Sequence, residues 1–175
     1  PVKPAIPLPA SPNLRETLGD EIFEIFTEEV SEICQNLATM YPQWNQTRTN
    51  RELLTDIRRG FHTLKGSGRM AGAFALGDFA WAHEDMLNQV LNGQLPADDR
   101  MSRQLKAAID EVNSRQTFYY EAQQKDARVE QLIAQANAII KREETLAKPA
   151  PIPPPAPLEL ETNFDLASEA NDFSL

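Results

Sequence analysis

Apolar residues recur along the middle of this chain at three- and four-residue spacing, a period that predicts helices throughout. The pattern is plainest at Leu53, Leu54, Ile57, Phe61, Leu64, Gly68 and Ala71. These share one face of a helix from about Asn50, a suitable N-cap, to Met70 or Ala71. Upstream, Leu18, Ile22, Phe26, Val30, Ile33 and Leu37 predict a first helix from about Arg15 to Met40, with Pro42 helping to end it. Downstream, Leu76, Phe79, His83, Met86 and Val90 mark a third, stopped at Asn92-Gly93. A fourth opens near Pro96, an early helical position that proline suits, and runs through Met101, Leu105, Ala108, Val112 and Tyr119. Val129, Ile133, Ala136 and Ile140 mark a fifth, from about Asp126 to Glu143. No stretch alternates apolar and polar residues as a strand would. Short connections between the second, third and fourth helices imply antiparallel neighbours. The expected fold is therefore all-α: an up-and-down antiparallel four-helix bundle with an additional fifth, C-terminal helix.

Proline frames this bundle. Of thirteen prolines, Pro1, Pro4, Pro7, Pro9 and Pro12 open the chain, and Pro149, Pro151, Pro153, Pro154, Pro155 and Pro157 follow the last helix. Such segments favour extended conformers and act as semi-rigid spacers. The expected organisation is a proline-rich linker at 1–13, the helical domain at 14–145, and a second proline-rich linker with an acidic, disordered tail at 146–175. The formal charge is −9, which argues against nucleic acid as a partner. Five of those negative charges (Glu159, Glu161, Asp165, Glu169 and Asp172) lie beyond Lys148, the last basic residue. No apolar run is long enough to span a bilayer, so no membrane role is expected. Lacking a signal pattern and an initial Met, the chain reads as a piece of a longer protein. The one cysteine, Cys34, excludes an internal disulfide and fits a reducing, cytoplasmic setting; its place in a helical pattern makes it a small packed residue.

Candidate chemistry gathers at Phe61-His62-Thr63-Leu64-Lys65-Gly66-Ser67-Gly68-Arg69-Met70. His62 falls about 100° around the helix from Phe61, just off the apolar stripe. Lys65, Gly66 and Arg69 follow it at i+3, i+4 and i+7. Glycine inside a helix costs about 0.5–1 kcal/mol relative to alanine, so two of them beside a histidine call for a reason. One reading makes His62 a nucleophile, oriented through its second ring nitrogen by a carboxylate on the next helix. Glu84, off the apolar face of the third helix, is the candidate. Lys65 and Arg69 would then supply charge for phosphate oxygens, and Gly66, Ser67 and Gly68 room for a partner. The same residues also fit a solvated helix face, and glycines also let helices pack closely. His83, on the apolar face, reads as a core histidine. Trp81, Phe79 and Phe74 read as packing residues, and no ligand-spaced pair suggests a metal site.

His62-Thr63-Leu64-Lys65-Gly66-Ser67-Gly68 strongly resembles the His-x-x-Lys-Gly signature of histidine phosphotransfer (HPt) domains, and the resemblance extends over about Arg15 to Glu143. Within that family the chain looks most like the phosphoacceptor domain of chemotaxis-type (CheA-like) kinases. The resemblance implies His62 as the phosphorylated residue, Lys65 as a phosphate partner, Glu84 as the group orienting the ring, and Gly66 and Gly68 as clearance. Ser67, Arg69 and Arg58 would belong to the rim that meets a receiver. Such kinases often carry a second histidine where Trp81 stands, a departure that touches the hydrogen bonding around the phosphate. Implied partners are receiver domains and an ATP-binding histidine kinase domain. ATP and magnesium belong to those partners and no cofactor to this chain, which has no nucleotide-binding glycine box and is not a kinase by itself. Proline-rich spacers suit kinases with several such domains in series, including those governing type IV pilus twitching motility. The alternatives are a module of a hybrid phosphorelay kinase and a docking domain without phosphotransfer.

Overall fold

The computed structural model describes residues 13–147, and the expected linkers at 1–13 and 146–175 lie almost wholly outside the described residues. Every described element is a helix: α1 (Leu14–Leu18), α2 (Asp20–Gln46), α3 (Arg51–Ala71), α4 (Phe74–Leu91), α5 (Asp99–Ser114), α6 (Gln116–Glu121) and α7 (Ala127–Ala147). The all-α bundle holds. α3 packs between α2 and α4, α5 lies against α2, and α7 packs against both α4 and α5.

Helix ends follow side-chain chemistry. Asn13, Asn50 and Asp98 each accept a hydrogen bond from a first-turn backbone N–H, capping α1, α3 and α5. Asp126 does the same at the start of α7 through the N–H of Val129. Gly72, at φ +86°, closes α3 in the left-handed conformation that glycine adopts without strain. The α4 N-terminus has no side-chain cap; the N–H of Ala75 instead bonds to the carbonyl of Ala122, just past α6.

Four expectations change. The first predicted helix breaks at Gly19, φ +84°, giving α1 and α2. Pro42 does not help to end α2, which continues through it to Gln46. The missing N–H and ring clash of an interior proline cost about 3 kcal/mol. Offsetting that, the flanking Tyr41 and Trp44 are buried, and the Tyr41 hydroxyl bonds Ser102 on α5. The buried stripe of α2 is accordingly Phe23, Phe26, Val30, Cys34, Leu37, Tyr41 and Trp44, so Ile22 faces solvent and Ile33 is half-buried. The predicted fourth helix also divides, at Arg115, and Tyr119 belongs to α6.

On α3, Leu54, Ile57, Phe61 and Leu64 are all buried at 2% exposure or less, each such side chain contributing about 1.5–3 kcal/mol. This stripe fixes the rotation of α3 and points the next residue, His62, outward. Among the described residues no helix is long and apolar enough to cross a membrane.

Candidate functional site

Two glycines set the spacing on which the site depends. A Cβ on Gly68 would come within 3.0 Å of the backbone nitrogen of Gly77, and one on Gly77 within 2.8 Å of Arg69 Cγ. Only bare backbone lets α3 and α4 approach this closely. Six residues back from Gly68 stands His62, and seven on from Gly77 stands Glu84, so the crossing brings their side chains together. His62 Nδ1 lies 2.7 Å from Glu84 Oε1. The His62 side chain is 61% exposed and that of Glu84 only 6%. Glu84 is thus a carboxylate anchored inside the α3–α4 seam, holding an imidazole that stands out from the surface.

Lys65 Nζ sits 2.6 Å from the other carboxylate oxygen, Oε2, as an ion pair. Arg58 completes the surround, with Nη1 3.9 Å from Oε1. Burial pushes the Glu84 carboxyl up, but the bonds and charges of Lys65 and His62 together outweigh it and hold the group below the usual carboxyl range. Glu84 is therefore ionised at neutral pH. Its grip on Nδ1 assigns the neutral ring the Nδ1–H tautomer and leaves the lone pair on Nε2, at the ring edge away from Glu84.

The other residues singled out in the sequence divide. Gly66 sits one position past Lys65, and a Cβ there would meet nothing within 4 Å, so open space lies over it. Arg69 is exposed, its guanidinium carbon 5.9 Å from the ring centre of Trp81. Trp81 is itself 55% exposed and Phe74 53%, so neither is the core residue expected; only Phe79 is buried. Gly68 and Ser67 do not border His62. Gly68 is buried against α4, where its smallness serves helix packing and not partner clearance. Ser67 turns to α2 and donates from Oγ to Glu29 Oε2 at 2.7 Å, because five residues of helix carry it well around from His62.

One surface was missed. Leu18, Ile22, Ile25, Phe26, Met70 and Ala71 line an apolar groove of about 380 Å³ between α2 and α3, with Glu29 and Ser67 at its polar edge. Ile22, Ile25 and Met70 are exposed at 57%, 60% and 89%. Assigning Ile22 to the buried face concealed it; the signal available was Ile25, an apolar residue outside the predicted stripe.

His83 is wholly buried. Its Nδ1–H donates to the carbonyl of Phe79, and its Nε2 accepts from Gln104 Nε2 at 3.1 Å. Gln104 also donates to the carbonyl of Leu132, tying α4, α5 and α7 together. Burial pushes the His83 imidazole down to about 4. Cys34 is likewise buried, its thiol pushed up to about 12. Among the described residues no cluster of three His, Cys, Asp or Glu side chains could hold a metal ion.

Comparison with known proteins adds three findings. A family model described as Hpt domain matches residues 21–115. Two curated proteins named Chemotaxis protein CheA, from Listeria monocytogenes serovar 1/2a and Listeria innocua serovar 6a, are each 31% identical over 80 residues, 46% of this chain. The matched stretch spans 13% of the length of those relatives. Among solved structures, the phosphorylated P1 domain of CheA3 in complex with CheY6 from R. sphaeroides superposes with a TM-score of 0.64 at 20% identity, covering 70% of this chain and 98% of that one. At that identity the likeness is one of fold.

Proposed function

Since the chain belongs to the Hpt domain family, related to the P1 domain of CheA, we propose that it is the phosphoacceptor domain of a chemotaxis-like kinase and that His62 carries the phosphoryl group. The Nε2 lone pair attacks the γ-phosphorus of ATP held by a separate kinase domain. The bond from phosphorus to the leaving ADP oxygen breaks as the N–P bond forms. The ring gains positive charge, and Glu84 at Nδ1 stabilises it without taking the proton, as the carboxylate of a catalytic triad does. In the second step a receiver aspartate attacks phosphorus, the N–P bond breaks, and imidazole leaves neutral. Lys65, one turn beyond His62, draws off charge from the phosphoryl oxygens. Magnesium and ATP come with the partner domains.

The observation that carries this reading is the 2.7 Å contact between His62 Nδ1 and Glu84 Oε1 on a side chain 61% exposed. A buried carboxylate fixes one nitrogen while the ring reaches outward. Open space over Gly66 supplies room for a receiver near the histidine. The P1 domain of CheA3 is itself found with CheY6, which supports a receiver as that partner.

The test is incubation with a cognate kinase domain, ATP and magnesium, followed by assay for acid-labile, base-stable phosphate. Label is expected on the chain, absent from His62→Gln, and discharged by a receiver. Failure to label with a kinase that phosphorylates other such domains would leave a docking module instead.

A further inference from the structure

Arg58 has no part in the steps above, yet it is held against the carboxylate they depend on. Its guanidinium lies 3.9 Å from Glu84 Oε1, within ion-pair range but too long for a hydrogen bond, and its side chain is only 29% exposed. The charged groups facing Glu84 are Arg58, His62 and Lys65, all from α3 and each one turn from the next. At rest, Lys65 at 2.6 Å neutralises the carboxylate and Arg58 is surplus.

That surplus ends once His62 bears a phosphoryl group. The incoming dianion draws the single ammonium of Lys65 toward its oxygens, and the contact with Oε2 lengthens. A carboxylate 6% exposed then loses its nearest cation, and an unpaired buried charge is strongly destabilising. If Glu84 took up a proton, its hold on the charged ring would weaken at the moment it matters most. Resting on the phosphotransfer reading, we propose that Arg58 is a positioning residue, the reserve counter-ion that closes onto Glu84 as Lys65 is drawn away. Guanidinium suits this role: it stays charged, is weakly hydrated and offers paired donors to a carboxylate. Closure by about 1 Å brings it to hydrogen-bond distance.

The test follows the titration of the Glu84 side-chain carboxyl by ¹³C NMR in the unphosphorylated chain. Lys65→Gln imitates the departure of the ammonium. It is expected to raise the Glu84 midpoint by less than about one pH unit because Arg58 closes in, and Arg58→Gln alone to raise it as little because Lys65 remains. The double variant is expected to raise it by about 2–3 units, more than the two single effects together. Arg58→Lys combined with Lys65→Gln should recover most of the difference, which separates charge from packing. A double variant titrating like Lys65→Gln alone would overturn the proposal. In a second arm, Arg58→Gln should accept label from the kinase domain about tenfold more slowly than wild type, with Arg58→Lys between them; equal rates would also overturn it. The titration arm needs no phosphoryl donor, so a chain that never accepts label sinks the phosphotransfer reading while the charge coupling at Glu84 is still decided.

Discussion

His62 and His83 stand on neighbouring helices, and both engage Nδ1 in a hydrogen bond, yet they meet opposite fates. His83 has Phe79 on one nitrogen and Gln104 on the other, with no exposure at all. His62 is held by Glu84 on Nδ1 alone and is 61% exposed. The residue type is identical; what differs is whether packing closes over the second nitrogen. A histidine bonded at both edges is a cross-link, and one bonded at a single edge is an oriented reagent. The partners differ as well. His62 is held by a carboxylate, whereas His83 meets only a carbonyl and an amide, and burial keeps it neutral although its bond to the Phe79 carbonyl favours the charged ring.

The comparison breaks most sharply in acid. The folded His83 imidazole titrates near 4, against an ordinary value of 6.5. Between those values the unfolded chain takes up a proton that the folded chain refuses, so stability falls as pH falls through this window. The loss should be on the order of 3 kcal/mol, read from urea melts at stepped pH. Glu84 contributes in a separate, lower window, its stabilisation being lost as pH falls through its depressed folded value. Substituting His83→Leu should remove the slope between 6.5 and 4 and lower neutral-pH stability by about 1–3 kcal/mol, since Gln104 loses its acceptor. Phosphoryl acceptance per folded molecule should be unchanged.

Glu84→Gln sharpens the contrast from the other side. It keeps the shape but loses the charge, so acceptance by His62 should slow by about 10–100-fold, as expected for one charge-assisted hydrogen bond, and the melting temperature should fall modestly as the contribution of the ionised carboxylate is lost. The smallest effect separates the two glycines flanking Ser67. Gly68→Ala should destabilise by about 1–3 kcal/mol through overpacking against Gly77. Gly66→Ala, with open space over it, should stabilise by about 0.5–1 kcal/mol in the same melts while slowing transfer to a receiver.

Much of the site was legible because it lies along one helix. The stripe Leu54, Ile57, Phe61, Leu64 fixed the rotation of α3, and with it the outward aspect of His62 and Lys65. Glu84 was reachable because α4 follows through a short connection, which leaves little freedom in pairing. What the pattern could not give was phase where several apolar residues compete. In α2, Ile22 and Phe23 are adjacent, as are Ile33 and Cys34, and only packing against α3 and α5 decides which is covered. Pro42 was misjudged because local propensity was weighed without the tertiary anchors of Tyr41 and Trp44. Gly68 and Ser67 were grouped with the site by nearness in sequence, whereas helical rotation sends them to α4 and α2.

The place of α7 bears on where such a chain can be cut. The family match ends at residue 115, but Val129, Leu132 and Ala136 of α7 are fully covered, and α7 packs against both α4 and α5. The carbonyl of Leu132 also receives the second hydrogen of the Gln104 amide. A fragment trimmed to the family signature would retain the histidine, the lysine and the glutamate and still lay bare an apolar flank on two helices, the kind of surface that drives self-association. The portable unit for grafting or expression is therefore longer than the stretch by which the family is recognised, and it runs to the end of α7.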